Sequence, residues 1–213
     1  MTDLVIFDCD GVLVDSEPPA NDVLIANLAS YGLHVTHQEA ERLFVGGTMA
    51  GVFQTARSMG ADLPEGWVDD IYAAIYARLA EGVDLMPGVV ALLDRLDAAG
   101  IPYCVGSNGS PDKMRVTLGQ NGLWERFAPH MISAHTHGVA KPDPALYHLA
   151  AAQFNVPSER AVVVEDSRSG VRAAVGAGMR CFGLVPAGDG AHLEDLGAEV
   201  IRHLDEVPAR LGL

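Results

Sequence analysis

Residues 4–11 read LVIFDCDG, and the expected fold follows from them. Four consecutive apolar residues are typical of a strand that is buried on both faces of a parallel sheet. Ligands of such sheets bind at the carboxyl ends of the strands. Asp8 and Asp10 come directly after the apolar run, so both carboxylates are expected at this edge. The pair indicates a nucleophile beside a general acid/base, although a strand that ends in an acidic turn has the same pattern.

Three later apolar runs also end in polar residues. Residues 103–106 lead to Ser107 and Asn108, residues 131–133 lead through a loop to Lys141, and residues 161–164 lead to Glu165 and Asp166. Ser110-Pro111 and Asp143-Pro144 each predict the start of a helix. The hydroxyl and amide groups that follow the first of these runs can hold an anion. Lys141, just outside its predicted helix, is available to a phosphate.

The runs bring four carboxylates to one edge of the sheet, those of Asp8, Asp10, Glu165 and Asp166. Carboxylates in close proximity repel one another, and their pKa values rise unless a cation compensates them. Oxygen ligands of this kind favour Mg²⁺, which leaves coordination positions for water and a substrate phosphate. Lys141 would add a fixed positive charge that pairs with the nucleophilic carboxylate and with phosphoryl oxygens. The set predicts phosphoryl transfer through an aspartyl phosphate.

Four motifs occur in a fixed order along the chain: Asp8-x-Asp10-Gly11, Ser107, Lys141 and Glu165-Asp166-Ser167-x-x-Gly170. Together they resemble the four motifs of the haloacid dehalogenase superfamily, over nearly the whole chain. Residues 14–17 and 141–144 resemble the branch that contains sugar-phosphate phosphatases and β-phosphoglucomutase. Residues 107–109 are similar to phosphogluconate-type phosphatases. The resemblance implies an α/β fold, with a Rossmann-like parallel-sheet core and an inserted α-helical cap.

The resemblance also implies a Mg²⁺-dependent phosphatase that acts on a small phosphate monoester, a sugar phosphate or a sugar-acid phosphate such as phosphogluconate. In such an enzyme Asp8 attacks phosphorus, while Asp10 protonates the leaving oxygen and then activates water. The implied phosphate-binding residues are Ser107, Asn108 and Lys141. The implied metal ligands are Asp8, the backbone carbonyl of Asp10 and Asp166, with Glu165 as a further candidate.

Residues from about Glu17 to Leu85 show helical periodicity and almost no strand pattern. We therefore predict a core of residues 1–15 and 87–213 and a helical cap of residues 16–86. Within the cap, Thr36-x-x-Glu39 predicts a capping box, and a stripe of Val68, Ile71, Ile75 and Leu79 ends at Gly82. The cap candidates for substrate specificity are Glu17, Gly46, Gly47 and Thr48. A helix–helix turn explains the glycines equally well, and charge compensation in a first helical turn explains Glu17.

Two alternative functions share these motifs. A sugar phosphomutase of the β-phosphoglucomutase type carries basic residues at the positions of Val45 and Met49 and a histidine at that of Ala20, so this chain departs from that type. A non-catalytic phospho-acceptor or binding protein clusters the same residue types, but has no use for an acid/base such as Asp10. Schiff-base phosphonate hydrolysis needs a cap lysine, and residues 16–86 contain none.

The 213 residues include 14 basic and 28 acidic residues, and the net charge is −14. This charge argues against nucleic acid and anionic membranes as partners. Lys113 and Lys141 are the two lysines of the sequence. We expect Lys113 to be a solvated residue in the first turn of the helix that Pro111 begins.

Cys9, Cys104 and Cys181 lie in or beside apolar runs with no paired spacing, which indicates small core residues in a reduced compartment. We expect no targeting segment ahead of the first strand. No apolar run approaches the length that spans a bilayer. We expect a soluble cytoplasmic monomer or small homo-oligomer. Its expected partner is a small phosphorylated metabolite.

Overall fold

The computed structural model describes residues 2–44 and 48–213. The chain forms two compact units, one of Met1–Asp15 and Asp84–Leu213 and the other of Ser16–Val83. Residues 84–86 thus belong to the first unit, whereas the sequence placed them in the cap. The reason is local pairing, since the Asp15 N–H donates to the Asp84 carbonyl over 2.9 Å and Leu85 forms an antiparallel bridge with Val14.

Within the described residues, the first unit contains one six-stranded sheet in which every neighbouring pair is parallel. Its strands are β1 Leu4–Phe7, β2 Tyr103–Ser107, β3 Met131–Ser133, β4 Ala161–Glu165, β5 Arg180–Leu184 and β6 Glu199–Ile201. The strand order is β3-β2-β1-β4-β5-β6. The order reverses beside β1, and ligands of open α/β sheets bind at such a switch point, at the carboxyl ends of the strands.

The regular elements of the second unit, in the part that the structure describes, are helices. Its helices are α1 Glu17–Ser30, α2 His37–Phe44, α3 Met49–Ser58 and α4 Trp67–Glu81. The predicted capping box is present, because the Glu39 carboxylate accepts from the Thr36 N–H at 2.9 Å and from its hydroxyl at 2.8 Å. Gly82 caps α4 as predicted, but the buried stripe of this helix begins at Trp67 rather than at Val68.

The remaining helices belong to the first unit: α5 Val89–Ala99, α6 Pro111–Gly119, α7 Trp124–Phe127, α8 Ala134–His137, α9 Ala145–Gln153, α10 Arg168–Gly176, α11 Ala191–Glu194 and α12 Glu206–Leu211. Short 3-10 turns occupy Ala128–His130 and Ser158–Arg160. None of the helices in the described ranges combines the length and apolar character needed to cross a bilayer.

The core lies on both faces of the sheet, which is why β1 and β4 are continuous apolar runs. On one face Ile6 and Val163 belong to a buried cluster with residues of α9 and α10. On the other face Phe7 packs edge-on against Phe127, with ring centroids 6.4 Å apart. The three cysteines are buried free thiols, as predicted.

The register of the central strands places Asp8 beside the end of β4. Phe7 pairs with Val105 of β2 and with Val164 of β4. The Asp8 N–H then donates to the Val164 carbonyl at 3.0 Å, which extends the β1–β4 ladder by one step. Asp8 and Glu165 therefore leave the sheet side by side.

Candidate active site

Four of the predicted site residues meet at the carboxyl edge of the sheet. Asp8 follows β1, Ser107 is the last residue of β2 and Glu165 is the last residue of β4. Lys141 lies in the connection between α8 and α9. All four residues are buried. This edge of the sheet therefore holds a polar cluster that is largely shielded from bulk water.

Lys141 joins two carboxylates that come from different strands. Its Nζ lies 2.6 Å from Asp8 Oδ1 and 2.5 Å from Glu165 Oε1. The same nitrogen lies 5.3 Å from the centroid of the Tyr147 ring. The structure thus brings together the predicted nucleophile, the predicted lysine and one of the predicted acidic ligands.

Glu165 is held by a full set of hydrogen-bond donors. Besides Lys141, its Oε1 accepts from the Tyr147 hydroxyl at 2.8 Å. Its Oε2 accepts from the N–H groups of Asp166 and Ser167, both at 3.0 Å, and from the Ser167 hydroxyl at 2.9 Å. With both oxygens engaged in this way, Glu165 acts first as an anchor for Lys141. Tyr147 was not identified from the sequence, because nothing in a helix of apolar and small residues marks its hydroxyl as a partner of Glu165.

The spacing of Glu165, Ser167 and Gly170 has a structural reason. Ser167 caps α10, since its hydroxyl accepts from the Gly170 N–H at 3.0 Å. A Cβ atom at position 170 would overlap the Glu165 carboxylate. Glycine is required there because the first turn of the helix passes directly against the buried carboxylate.

Asn108 holds the backbone of Lys141. Its Oδ1 accepts from the Lys141 N–H at 2.9 Å, and its Nδ2 donates to the Lys141 carbonyl at 3.3 Å. Ser107 Oγ accepts from the Gly109 N–H at 2.9 Å. Asn108 is therefore a positioning residue for Lys141. The predicted phosphate contacts of Ser107, Asn108 and Lys141 stay predictions.

The pKa values of the two buried carboxyl groups are shifted in opposite directions. Burial raises the pKa of Asp8 to about 7, an effect that Lys141 opposes and that Glu165 and Asp10 reinforce. Burial also acts to raise the pKa of Glu165, but Lys141 and the hydrogen bonds from Ser167 and Tyr147 outweigh it, and that pKa is lowered. Burial acts to lower the pKa of Lys141, yet Asp8 and Glu165 raise it. Glu165 is thus the firmly ionised partner of Lys141, and Asp8 is the carboxylate that still needs a compensating charge.

Asp8, Glu165 and Asp166 form a group that can hold a metal ion, with one oxygen from each carboxylate within 4.8 Å of the others. The donors are all hard oxygen atoms, the type that Mg²⁺ and Ca²⁺ prefer. Gly11 contributes space, because a Cβ atom there would overlap the Asp166 carboxylate, and its φ of +75° suits glycine. The side chain of Asp10 is not part of this group, and its predicted ligation through the backbone carbonyl stays a prediction.

Asp10 has a lysine of its own. Lys113 Nζ lies 2.7 Å from Asp10 Oδ1, with 18% and 26% of the two side chains exposed. Lys113 lies in the first turn of α6, as predicted, but the expectation that it is solvated is wrong. Helix α6 begins just after β2 ends, so its first turn lies at the same edge of the sheet as Asp10. Sequence reasoning missed this pair because 103 residues separate its members.

The predicted specificity residues belong to the second unit or lie outside the described residues. Glu17 is the first residue of α1, and the Thr48 hydroxyl caps α3 by accepting from the Gly51 N–H at 3.1 Å. Gly46 and Gly47 lie outside the described residues, as does Val45. A role of these residues in substrate choice stays a prediction.

Comparison with known proteins agrees with this geometry. Residues 2–178 match the haloacid dehalogenase-like hydrolase family. A 6-phosphogluconate phosphatase from Escherichia coli (strain K12) is 32% identical over 180 residues, which cover 84% of this chain and 80% of that protein.

Solved structures with the same fold cover the whole chain. A haloacid dehalogenase-like protein from Agrobacterium tumefaciens str. C58 is 36% identical with a TM-score of 0.90, over 100% of this chain and 98% of that one. A putative β-phosphoglucomutase from Thermotoga maritima is 27% identical with a TM-score of 0.82, over 100% of this chain and 99% of that one. These likenesses confirm the predicted α/β fold, the resemblance drawn from the four motifs and the prediction of an enzyme. The chain belongs to the haloacid dehalogenase-like hydrolase family.

Proposed function

We propose that this protein is a Mg²⁺-dependent phosphatase that hydrolyses a small phosphate monoester through an aspartyl phosphate on Asp8. The observation that carries the proposal is the contact of Asp8 with Lys141 at 2.6 Å, in a buried cluster that also contains Glu165 and Asp166. A nucleophilic carboxylate, a fixed cation and a group of metal-binding oxygens are the components that phosphoryl transfer through an acyl phosphate needs.

Asp8 is suited to attack phosphorus because its surroundings fix its position. The backbone N–H of Asp8 is bonded to β4 at 3.0 Å, and Oδ1 is bonded to Lys141. Mg²⁺ held by Asp8, Asp166 and the Asp10 carbonyl would draw the phosphate towards the site and offset the negative charge on its oxygens. The donor group described above fits such an ion. Lys141 then serves two anions, the nucleophile and the incoming phosphoryl group.

Asp10 is the proposed general acid/base. It lies two residues beyond Asp8, in a loop that is closed by a hydrogen bond of 2.8 Å from the Gly11 N–H to the Val14 carbonyl. When the Asp8 oxygen forms its bond to phosphorus, the bond from phosphorus to the leaving oxygen breaks, and Asp10 gives that oxygen a proton. Asp10 then accepts a proton from water as the water attacks the aspartyl phosphate, which releases inorganic phosphate and restores Asp8.

A phosphorylated sugar or sugar acid is the proposed substrate class. The support is the likeness to the 6-phosphogluconate phosphatase, together with the Ser107-Asn108-Gly109 sequence. The proposed specificity residues are Glu17, Gly46, Gly47 and Thr48, and the proposed cellular location is the cytoplasm. With a net charge of −14, the chain gains nothing from long-range attraction of anions. Binding of a phosphate therefore depends on the metal and on the lysines at the site.

A sugar phosphomutase is the second candidate, favoured by the likeness to the putative β-phosphoglucomutase. A mutase must retain the phosphoryl group on Asp8 long enough to return it to a sugar. The absence of basic residues at Val45 and Met49 and of a histidine at Ala20 supports hydrolysis instead.

The test is release of inorganic phosphate from sugar phosphates, sugar-acid phosphates, nucleotides and an aryl phosphate, each with Mg²⁺ and with a chelator. We expect Mg²⁺-dependent release that is highest for one sugar or sugar-acid phosphate. Conversion of a sugar 1-phosphate to its 6-phosphate isomer without release of phosphate would favour the mutase. Unchanged turnover in the chelator would contradict the metal requirement.

A further inference from the structure

Lys113 forms an ion pair that the proposed chemistry has not used. Its Nζ lies 2.7 Å from Asp10 Oδ1, at the same edge of the sheet as the Lys141–Asp8 pair. We propose that Lys113 is a positioning residue that holds the carboxyl group of Asp10 in the orientation needed for proton transfer to the leaving oxygen. This inference rests on the proposed function, because it assumes that Asp10 is the acid/base.

The start of helix α6 determines where Lys113 lies. Ser110 caps the helix, since its hydroxyl accepts from the Lys113 N–H at 3.2 Å, and Pro111 occupies the first turn. One turn later the Thr117 hydroxyl donates to the Lys113 carbonyl at 3.2 Å. Both backbone polar groups of Lys113 are thus engaged. A lysine is a flexible residue, and a fixed backbone limits the positions that its ammonium group reaches.

Gly109 lies beside the Lys113–Asp10 pair. A Cβ atom at this position would lie 3.2 Å from Ser107 Oγ, 3.5 Å from Asp10 Oδ2 and 3.8 Å from Lys113 Cδ. The peptide groups around Gly109 are held from two sides, because its N–H donates to Ser107 Oγ at 2.9 Å and its carbonyl accepts from Ser133 Oγ at 2.7 Å. The loop that carries Ser107 is therefore held in place next to the pair.

Each of the two lysines in the chain contacts one of the two catalytic carboxylates. The pairing distinguishes the acid/base from the nucleophile, because the two carboxylates contact different lysines. Partly exposed ion pairs contribute little to folding stability, so the Lys113–Asp10 contact is better explained by orientation. General acid catalysis depends strongly on such orientation, since the acid must be within hydrogen-bond reach of the leaving oxygen.

Substrates whose leaving groups differ in their need for a proton distinguish a positioning role of Lys113 from a merely structural one. In the first step the Asp8–phosphorus bond forms, the bond to the leaving oxygen breaks, and Asp10 protonates that oxygen. Lys113 transfers no proton. A sugar alkoxide needs this proton, whereas p-nitrophenolate leaves readily without it. The ratio kcat/KM covers the steps up to departure of the leaving group, so the later hydrolysis that all substrates share does not affect it.

The experiment compares Lys113→Met with the wild type on glucose 6-phosphate and on p-nitrophenyl phosphate, neither of which has a second anionic group. We expect kcat/KM to fall by about tenfold or more for the sugar phosphate and by about twofold or less for the aryl phosphate. Lys113→Arg should restore part of the loss. The retained activity on the aryl phosphate shows that the variant is folded.

Two controls isolate the role of Lys113. Arg115→Met removes a cation from the same helix, where the guanidinium lies 5.1 Å from the Trp124 ring centroid. This variant should have the wild-type kcat/KM on both substrates. In an Asp10→Asn background, Lys113→Met should cost no further activity on the sugar phosphate, because the lysine acts through Asp10.

Three outcomes would overturn the positioning role alone. They are equal losses on both substrates, an additive loss in the Asp10→Asn background, and no loss on either substrate. Absence of turnover by the wild type on every ester would overturn this role and the proposed function together.

Discussion

Asp8, Lys141 and Glu165 behave as one unit because none of their charges is stable there alone. Burying an unpaired charge has a large desolvation cost. If one member of a buried ion pair is removed, the remaining charge carries that cost alone. Glu165 accepts from five donors, whereas Asp8 has the shared lysine and its place in the candidate metal site. The arrangement fixes Lys141 through Glu165 and leaves Asp8 as the proposed nucleophile.

Replacement of Asp8 by asparagine should abolish turnover, with a loss of several powers of ten in kcat, as is usual when a nucleophile is removed. The side chain keeps its size, but the amide does not attack phosphorus and binds a cation poorly. Phosphate release with Mg²⁺ measures the effect, and circular dichroism verifies the fold.

The matched control is Asp3→Asn, which removes a carboxylate near the other end of β1, where Asp3 pairs with Arg160. This variant should keep the turnover of the wild type. Normal turnover by Asp8→Asn would show that another residue is the nucleophile.

Tyr147→Phe should weaken the hold on Glu165, the partner of Lys141, while the aromatic ring at position 147 is kept. The change removes the hydroxyl that donates to Glu165 Oε1 at 2.8 Å. Loss of one donor to a buried carboxylate is expected to lower the free energy of unfolding by about 1–3 kcal/mol. Denaturant titration measures this difference, and kcat should fall modestly.

Tyr76→Phe removes the same atom from α4 in the second unit and should change stability by less than about 0.5 kcal/mol. If both tyrosine variants matched the wild type, the hydroxyl of Tyr147 would have no part in holding Glu165.

Helix α10 shows how a site constrains an element. Alanine is a better helix former than glycine by about 1 kcal/mol, so an exposed Gly→Ala change in a helix is commonly stabilising. At position 170 the added Cβ would instead overlap the Glu165 carboxylate. We expect Gly170→Ala to lower both the melting temperature and kcat, as Glu165 and then Lys141 are displaced.

Gly176→Ala provides the comparison within α10, because its added Cβ would lie 3.5 Å from Pro144, an ordinary contact. That variant should have the wild-type activity and an equal or higher melting temperature. A Gly170→Ala protein that melts above the wild type and turns over normally would contradict the packing described for Glu165.

The sheet and the helix starts could be predicted because they depend on neighbouring residues. Apolar runs gave β1, β2 and β4, and Ser110-Pro111 gave the start of α6. The partners of the site residues could not be predicted in the same way. Contacts from Lys113 to Asp10 and from Tyr147 to Glu165 join different elements. They depend on how the elements pack, and no local pattern in the sequence records that.

At the scale of the whole molecule, the site links folding to pH. Asp8 has an ordinary pKa of 3.8, and burial raises it to about 7 in the metal-free fold. The folded protein therefore holds a proton that the unfolded chain releases, between about pH 4 and pH 7. By linkage, the contribution of Asp8 to stability is fully present below its unfolded pKa and is lost as the pH rises through about 7.

In a chelator, the free energy of unfolding of the wild type minus that of Asp8→Asn should therefore fall as the pH rises from about 4 to 8. The subtraction removes the contributions of carboxylates that are distant from Asp8. Added Mg²⁺ should raise the free energy of unfolding of the wild type above pH 7, since the ion binds the ionised form of Asp8. It should change that of Asp8→Asn much less. Urea titrations at several pH values measure the difference. A difference that rises with pH in the chelator would show that Asp8 is ionised in the metal-free fold.

The most direct test of the proposed chemistry is detection of the aspartyl phosphate. The Asp10→Asn variant is mixed with p-nitrophenyl phosphate and Mg²⁺, quenched in acid and analysed by peptide mass spectrometry. The aryl group leaves without a proton, but the variant lacks the base that activates water, so an aspartyl phosphate should accumulate. We expect a burst of p-nitrophenolate and a phosphoryl group on the peptide that contains Asp8. A phosphoryl group on another residue, or none while the wild type turns over, would contradict nucleophilic attack by Asp8.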